Sequence, residues 1–291
     1  MNGLLVIDKP EGMSSHSVVN VVRRLTGQKR VGHAGTLDPM ATGVLVVCVG
    51  QAVRLSEYLI DHDKKYRARA RLGVETDTYD ATGQAVATHE VNVTPEAITA
   101  ALNSFVGKIS QRPPAHSAVQ RDGVRAYQLA RRGVALEMEP REVEIYSIKV
   151  RAAQGDKVEF DVHCSKGTFI RSLAHDLGEK LGTGAHLSAL TRLASGRFTI
   201  EQSAPLDELK DAAARGELER YLLPMDRAIA EFDTLTLDVE TAQAVRNGRF
   251  IPAPYRLKTP IVRAYNSQGE LIALLEPVGP NALKPKKVFE S

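Results

Sequence analysis

Between Tyr66 and Leu72 the chain alternates without a break: Tyr66, Ala68, Ala70 and Leu72 are apolar, while Arg67, Arg69 and Arg71 are cationic. A period of two sends successive side chains to opposite faces of a strand, whereas a helix would scatter these arginines around its circumference. The segment is therefore predicted to be a strand with a small apolar face and a strongly basic one. A chain holding such a strand must pack one side of a sheet and leave the other in contact with water or with an anionic partner.

Other elements follow from the same logic. Residues 4–8 (LLVID) read as a buried strand that stops at Lys9-Pro10-Glu11-Gly12. Ser14 or Ser15 then caps a helix whose Val18, Val22 and Leu25 recur at helical spacing. Residues 44–49 form a second strand and 53–59 a short helix. Thr94-Pro95-Glu96 starts a helix over 97–106. A long loop at 111–123 is expected before a helix at 124–130. Strands 143–150 and 158–164 pair around Gln154-Gly155-Asp156. Residues 168–181 return to helical spacing and end at Gly182-Thr183-Gly184, with a further strand at 197–200. The pattern thins at 224–232, which reads as a linker. Beyond it come a strand at 235–237, a helix at 240–246 and a hairpin joining 261–265 to 271–275. The fold is thus mixed α+β with a small, mostly β tail.

Composition removes several function classes. The 291 residues carry 43% hydrophobic and 25% charged side chains, an ordinary balance for a globular chain. Cys48 and Cys164 stand alone in apolar runs, so neither a disulfide framework nor a CxxC zinc site is expected. Eight scattered histidines form no HExxH, and no metal or other cofactor is expected. GxSxG is absent, and CSKGT lacks the glycine spacing of a phosphate loop. The N-terminal apolar stretch is too short for a signal peptide and 44–49 too short for a bilayer span, so a cytoplasmic, non-membrane protein is expected.

A net charge of +3 does not demand a polyanion, but its distribution favours one. Basic residues group at Lys64, Lys65, Arg67, Arg69 and Arg71, at Arg121, Arg125, Arg131 and Arg132, and at Lys284, Lys286 and Lys287. Lys64, Lys65, Arg67, Arg69, Arg121 and Arg125 are the candidate RNA contacts, with Tyr66 and Tyr127 able to stack on bases. Asp38, in GHAGTLDPMATG, fits two readings: an Asx turn before Pro39, or a carboxylate held on a shaped loop by Gly35 and Gly43. Arg171, in HCSKGTFIRSLAHDLG, fits either a solvated helix residue or the forked partner of an ionised carboxylate.

GHAGTLDPMATG, the preceding DKPEGMSS, the stretch DKKYRARARLGVETDTYDATG and HCSKGTFIRSLAHDLGEKLGTGAHLSALTR occur in an order that resembles bacterial tRNA pseudouridine synthases of the TruB type. The resemblance covers residues 2 to about 226. The tail from about 234 resembles, more faintly, the PUA RNA-binding module. It implies a pseudouridine synthase catalytic fold over residues 1–230, with a central mixed or antiparallel sheet and flanking helices, and a PUA-like domain over 231–291.

By that resemblance the chain isomerises the uridine at position 55 of the tRNA T-loop, with the T-stem-loop as substrate, no cofactor and a monomer as the simpler state. The family's nucleophile falls on Asp38, its salt-bridge arginine on Arg171 and its base-packing tyrosine on Tyr66. His33 falls on a histidine that holds the flipped-out nucleotide, Leu190 on an apolar pocket residue and Lys9 on a supporting lysine. Asp80 is expected to bind or order an RNA-facing loop. Phe169 stands where the family often has tyrosine, so no hydroxyl role is available there. Attack at C1′ and attack at C6 of the base both remain open. So do an RNA-binding or RNA-folding protein on the same scaffold, and a synthase for another RNA site.

Overall fold

The computed structural model describes residues 1–114, 138–253 and 257–289, with the backbone alone of 120–121 and 124–125. The chain begins with β1 (Gly3–Lys9), α1 (Ser15–Thr26), β2 (Val31–His33), β3 (Thr42–Val49), a 3-10 turn and α2 (Ser56–Ile60). Next come β4 (Lys64–Leu72), β5 (Val74–Thr76), β6 (Ala85–Thr88), α3 (Pro95–Asn103) and β7 (Gly107–Gln111). The short strands β8 (Gln120–Arg121) and β9 (Val124–Arg125) pair with each other. β10 (Arg141–Gln154), β11 (Lys157–Cys164), α4 (Ile170–Leu181) and β12 (Ala185–Ser195) follow. β13 (Phe198–Thr199), β14 (Ala204–Pro205) and α5 (Leu206–Ala214) lead into the tail. The tail holds β15 (Asp233–Thr236), α6 (Val239–Arg246), β16 (Ile251–Pro252), β17 (Val262–Tyr265), β18 (Leu271–Val278) and β19 (Ala282–Val288).

Ten strands form one mixed sheet in the order β14-β1-β3-β12-β4-β11-β10-β7, with β13 beside β12 and β2 beside β3. β1 with β14 and β3 with β12 are parallel pairs, and the other pairings are antiparallel. The alternation that predicts β4 holds throughout, with buried and exposed residues exchanging at every position.

The unbroken apolar runs of β1 and β3 have a different cause. Leu5, Ile7, Leu45 and Val47 point to one side, where they pack with Val18 and Val22 of α1. Leu4, Val6, Val44 and Val46 point to the other, into a second core shared with Ile261, Leu274 and Phe289 of the tail. Strands covered on both faces read as continuous hydrophobic sequence.

The tail forms a five-stranded sheet, β15-β17-β18-β19-β16, with α6 against it. Residues 224–232, expected as a linker, form a structured, partly buried turn instead. Met225–Ile229 is a 3-10 helix whose Ala228 and Ile229 are fully buried in the core between the two sheets. Polar contacts fix the same seam: Tyr265 donates to Asp226 at 2.8 Å, and Arg263 donates to the carbonyls of Phe232 and Ala230 at 3.0 and 3.1 Å.

β12 has no counterpart among the sequence expectations. Its AHLSALTRLAS is rich in Ala and Leu, which favour helix in isolation, and pairing with β3 and β4 overrides that preference. Within the expected helix 124–130, Val124–Arg125 form β9, and the remainder lies outside the described residues. Among the described residues no helix is long and apolar enough to cross a membrane.

Phe289 is 2% exposed and sits in the core that joins the two sheets. Phe289→Ala should cost about 3 kcal/mol, read as a lowered midpoint in urea denaturation.

Candidate active site

A cleft of about 720 Å³ opens at one end of the large sheet, lined by the loop 35–38, by Lys64 and Tyr66 of β4, by Leu190 and Arg192 of β12 and by the turn 165–171. Asp38 stands in this cleft on the loop between β2 and β3. The loop is held from several directions at once.

Ser14 caps α1 by accepting a hydrogen bond from the Ser17 amide, while its neighbour Ser15 turns inward. The buried Ser15 hydroxyl donates to the Leu37 carbonyl at 3.0 Å and accepts from the Leu37 amide at 2.8 Å. The fully buried Lys9 donates to the carbonyls of Pro10, Met13 and Pro39 at 2.8, 2.6 and 3.2 Å, tying the DKPEG turn to the residue after Asp38. Burial lowers Lys9 to a pKa of about 8, opposed by the Asp38 charge. From β12, the buried Arg192 donates to the carbonyls of Val44, Thr36 and Gly35 at 2.7, 3.4 and 3.0 Å. The loop can come this close only because of Gly43: its φ is +94°, and a Cβ there would stand 2.3 Å from the Arg192 carbonyl oxygen.

Arg171, at the start of α4, is 133 residues away in sequence and meets Asp38 with two nitrogens. Its Nε lies 3.0 Å from Oδ2 and its Nη2 3.5 Å from Oδ1. The third nitrogen, Nη1, lies 3.0 Å from Oδ2 of Asp80 and donates to the Thr78 carbonyl at 3.3 Å. Arg171 is nearly inaccessible to solvent, whereas Asp38 keeps 38% of its side-chain surface open to the cleft. One guanidinium thus serves two carboxylates, one facing the cleft and one buried behind it. The other oxygen of Asp80 is saturated, accepting from the Thr78 hydroxyl at 2.9 Å, the Thr82 amide at 2.9 Å and the Thr82 hydroxyl at 2.5 Å.

This arrangement changes the expected electrostatics. A single arginine partner would lower a carboxyl pKa. Here the surrounding protein pushes the Asp38 carboxyl up, and although Arg171 and Lys9 oppose that, the nearby Asp80 charge adds to it; the net direction is upward. Tyr66 is likewise driven up, chiefly by burial, so its phenol stays protonated at neutral pH.

The chain's match to known proteins is extensive. Residues 23–170 match the TruB family pseudouridylate synthase N-terminal domain, 171–230 the tRNA pseudouridylate synthase B C-terminal domain, and 232–290 the tRNA pseudouridine synthase II C-terminal model. The chain belongs to the TruB family of pseudouridylate synthases. Among its relatives, the tRNA pseudouridine synthase B of Solibacter usitatus is 43% identical, over 99% of this chain and all of that protein. That of Pseudomonas syringae is 39% identical, over 100% of this chain and 96% of the relative. Solved structures with the same fold include an H/ACA RNP bound to a substrate RNA containing 2′-deoxyuridine, with TM-score 0.76 and 26% identity over 99% of this chain and 85% of that one. A Cbf5-Nop10-Gar1 complex gives TM-score 0.75 and 28% identity over the same shares. As a TruB-family member the chain is a pseudouridine synthase, an isomerase.

Of the residues singled out in the sequence, Asp38, Lys64, Tyr66, Phe169, Arg171 and Leu190 line this same cleft. Lys9 and Asp80 lie directly behind it, in contact with the loop and with Arg171. His33 sits on β2 in register with Val47, outside the cleft lining. Both backbone groups of Phe169 are bound by the buried Gln111 amide, at 2.8 and 3.0 Å, so its ring is placed without any hydroxyl.

The candidate RNA contacts on β4 divide between its two faces. Lys64 shares the buried face of β4 with Tyr66, lines the cleft and donates to the carbonyls of Ile60 and His62; burial lowers it to a pKa of about 8. Lys65, Arg67 and Arg69 point to the opposite face. There Arg67 pairs with Asp161 at 2.8 Å and Arg69 with Glu159 at 2.8 Å, acids that stand directly opposite on β11. The basic stripe is therefore largely neutralised by its neighbour strand. Lys284 and Lys286 pair with Glu276, and Lys287 with Glu57. The backbones of Arg121 and Arg125 lie in β8 and β9, and their side chains lie outside the described residues. Ser15 and Arg192 carry no signal in a single sequence, because one looks like a helix cap and the other like any solvated arginine.

If catalysis needs the ionised Asp38, the rate falls as pH drops through its raised pKa, and the acid limb should lie above the ordinary aspartate value of about 3.9. Asp80→Asn removes the second negative charge, so its acid limb should shift to lower pH. The pH dependence of single-turnover product formation measures both.

Proposed function

We propose that this chain converts the uridine at position 55 in the T-loop of tRNA to pseudouridine, with Asp38 as the nucleophile. The observation that carries the reading is the Asp38–Arg171 ion pair at the cleft, 3.0 Å at its short contact. The relatives' names, tRNA pseudouridine synthase B, supply the substrate class.

The reaction breaks the N1–C1′ bond, turns the uracil and joins C5 to C1′, with no net redox change. Attack by Asp38 at C1′ and attack at C6 both start from the same ionised carboxylate. Arg171 orients that carboxylate through two nitrogens, which removes rotational freedom before the substrate arrives. The target base must leave its stack to reach Asp38. A cleft of about 720 Å³ has room for a nucleoside, with Leu190 and Phe169 as apolar walls. Tyr66, held neutral by burial, is fitted to pack against the base rather than to accept a proton in its resting state. Lys9 holds the loop and does not face the reacting atoms.

On this reading residues 1–230 are the catalytic unit, and 231–291 form a PUA-like module that extends the RNA-binding surface. His33 helps to hold the flipped-out conformation, and Lys65, Arg121 and Arg125 supply backbone contacts. The protein acts as a monomer in the cytoplasm.

The decisive experiment incubates the isolated chain with unmodified tRNA and with tRNA altered only at the target uridine, then maps pseudouridine at nucleotide resolution. Modification at position 55 alone, without other proteins or guide RNA, is expected. Asp38→Asn should yield no product while binding the same tRNA within a few-fold of the parent; normal turnover by that variant would overturn the assignment. Arg171→Lys, a point charge that cannot span Asp38 and Asp80 as the planar guanidinium does, should slow single-turnover conversion by about 10²-fold or more.

A further inference from the structure

We propose that Tyr79 and His175 form an aromatic clasp that holds the 78–80 loop against Arg171, making both of them positioning residues for the reaction. The proposal rests on the assignment of Asp38 and Arg171 above.

Tyr79 is the one non-glycine residue with positive φ among the described residues, at +63°. A bulky side chain in that region is an outlier that persists only where its surroundings hold it. What the unusual turn achieves is visible on either side of it. The Thr78 carbonyl and the Asp80 carboxylate, which flank Tyr79, both converge on Nη1 of Arg171, at 3.3 and 3.0 Å. In an extended backbone, carbonyl and side chain two residues apart would not be turned onto one nitrogen.

The Tyr79 ring supplies a hold on α4. It lies flat on the His175 imidazole, with centroids 3.9 Å apart and planes within 6°. His175 is four residues after Arg171 on α4, so the two side chains share a helix face one turn apart. A loop docked on His175 is thereby set over Arg171. Backbone bonds complete the seat: the Tyr79 carbonyl accepts from the Leu187 amide at 2.9 Å, and the Ala81 amide donates back to the Leu187 carbonyl at 2.9 Å. The Thr76 hydroxyl donates to the Asp80 carbonyl at 2.7 Å.

Neither ring lines the cleft, so neither reaches the reacting nucleotide there. Their effect passes through Asp80 and Arg171 to the orientation of Asp38. Loss of the clasp should therefore lower the rate of the chemical step and leave RNA affinity alone.

The test compares Tyr79→Ala, Tyr79→Gly, Tyr79→Phe, His175→Ala and the Tyr79→Ala/His175→Ala double variant in the full chain. The readouts are single-turnover pseudouridine formation on unmodified tRNA, tRNA affinity and thermal unfolding. Tyr79→Ala and His175→Ala should each slow conversion about tenfold or more, with affinity within about threefold of the parent. Tyr79→Gly accepts the positive φ but has no ring, and should be slowed as well; Tyr79→Phe keeps the ring and should restore the parental rate. The double variant should be no slower than the slower single one, since both remove one contact. Parental rates in Tyr79→Ala and His175→Ala would overturn the proposal, as would multiplicative losses in the double variant. A fall in affinity matching the fall in rate would also overturn it, by making the ring an RNA contact. Should Tyr79→Ala fail to fold, His175→Ala and Tyr79→Phe carry the same decision. Activity in Asp38→Asn would sink the underlying assignment, whereas an inactive Asp38→Asn with fully active clasp variants would sink the clasp alone.

Discussion

The site depends on one buried guanidinium shared by two carboxylates. Arg171 without a counter-charge would be costly to bury, and Asp80 at 3.0 Å supplies that charge from behind. Asp38 is then free to be the partner on the cleft side, partly open to substrate, while still aimed by two nitrogens. The pairing has an electrostatic consequence: a second anion so close keeps Asp38 less acidic than an isolated Asp–Arg pair would be. An ionised Asp38 is thus held in a less comfortable state than a fully neutralised carboxylate.

The fold exists around this site as a set of braces that converge on one loop. β1 delivers Lys9, α1 delivers Ser15, β12 delivers Arg192 and α4 delivers Arg171. Each of the first three bonds backbone carbonyls of residues 35–39 and leaves the Asp38 carboxylate to Arg171. This division braces the loop backbone while the Asp38 carboxylate stays open to the cleft. Gly43 permits the arrangement by allowing β3 and β12 to approach where any side chain would collide.

The second sheet is more than an appendage. The outward sides of β1 and β3 are covered by Ile261, Leu274 and Phe289, so the tail completes the core of the strand that leads into the site. The buried turn Met225–Ile229 and the Tyr265–Asp226 bond fix its placement. A surface built on the tail therefore has a defined position relative to Asp38.

The sequence by itself determined the class of the fold and singled out the loop that carries Asp38. Strict alternation in β4, the helical spacing of α1 and α4, and the glycines around Asp38 are local signals, and local signals survive in one dimension. The resemblance of the ordered motifs then named Asp38, Tyr66 and Arg171, which the structure brings to one cleft. What only the tertiary structure decided was partnership. Nothing in β4 announces that Arg67 and Arg69 face acids on β11, because cross-strand register is set by packing 90 residues away. Nothing in TDTYDATG reveals that Asp80 shares Arg171 with Asp38, or that Tyr79 folds onto His175. Charge and pKa depend on distance and exclusion of water, and both are properties of the assembled chain.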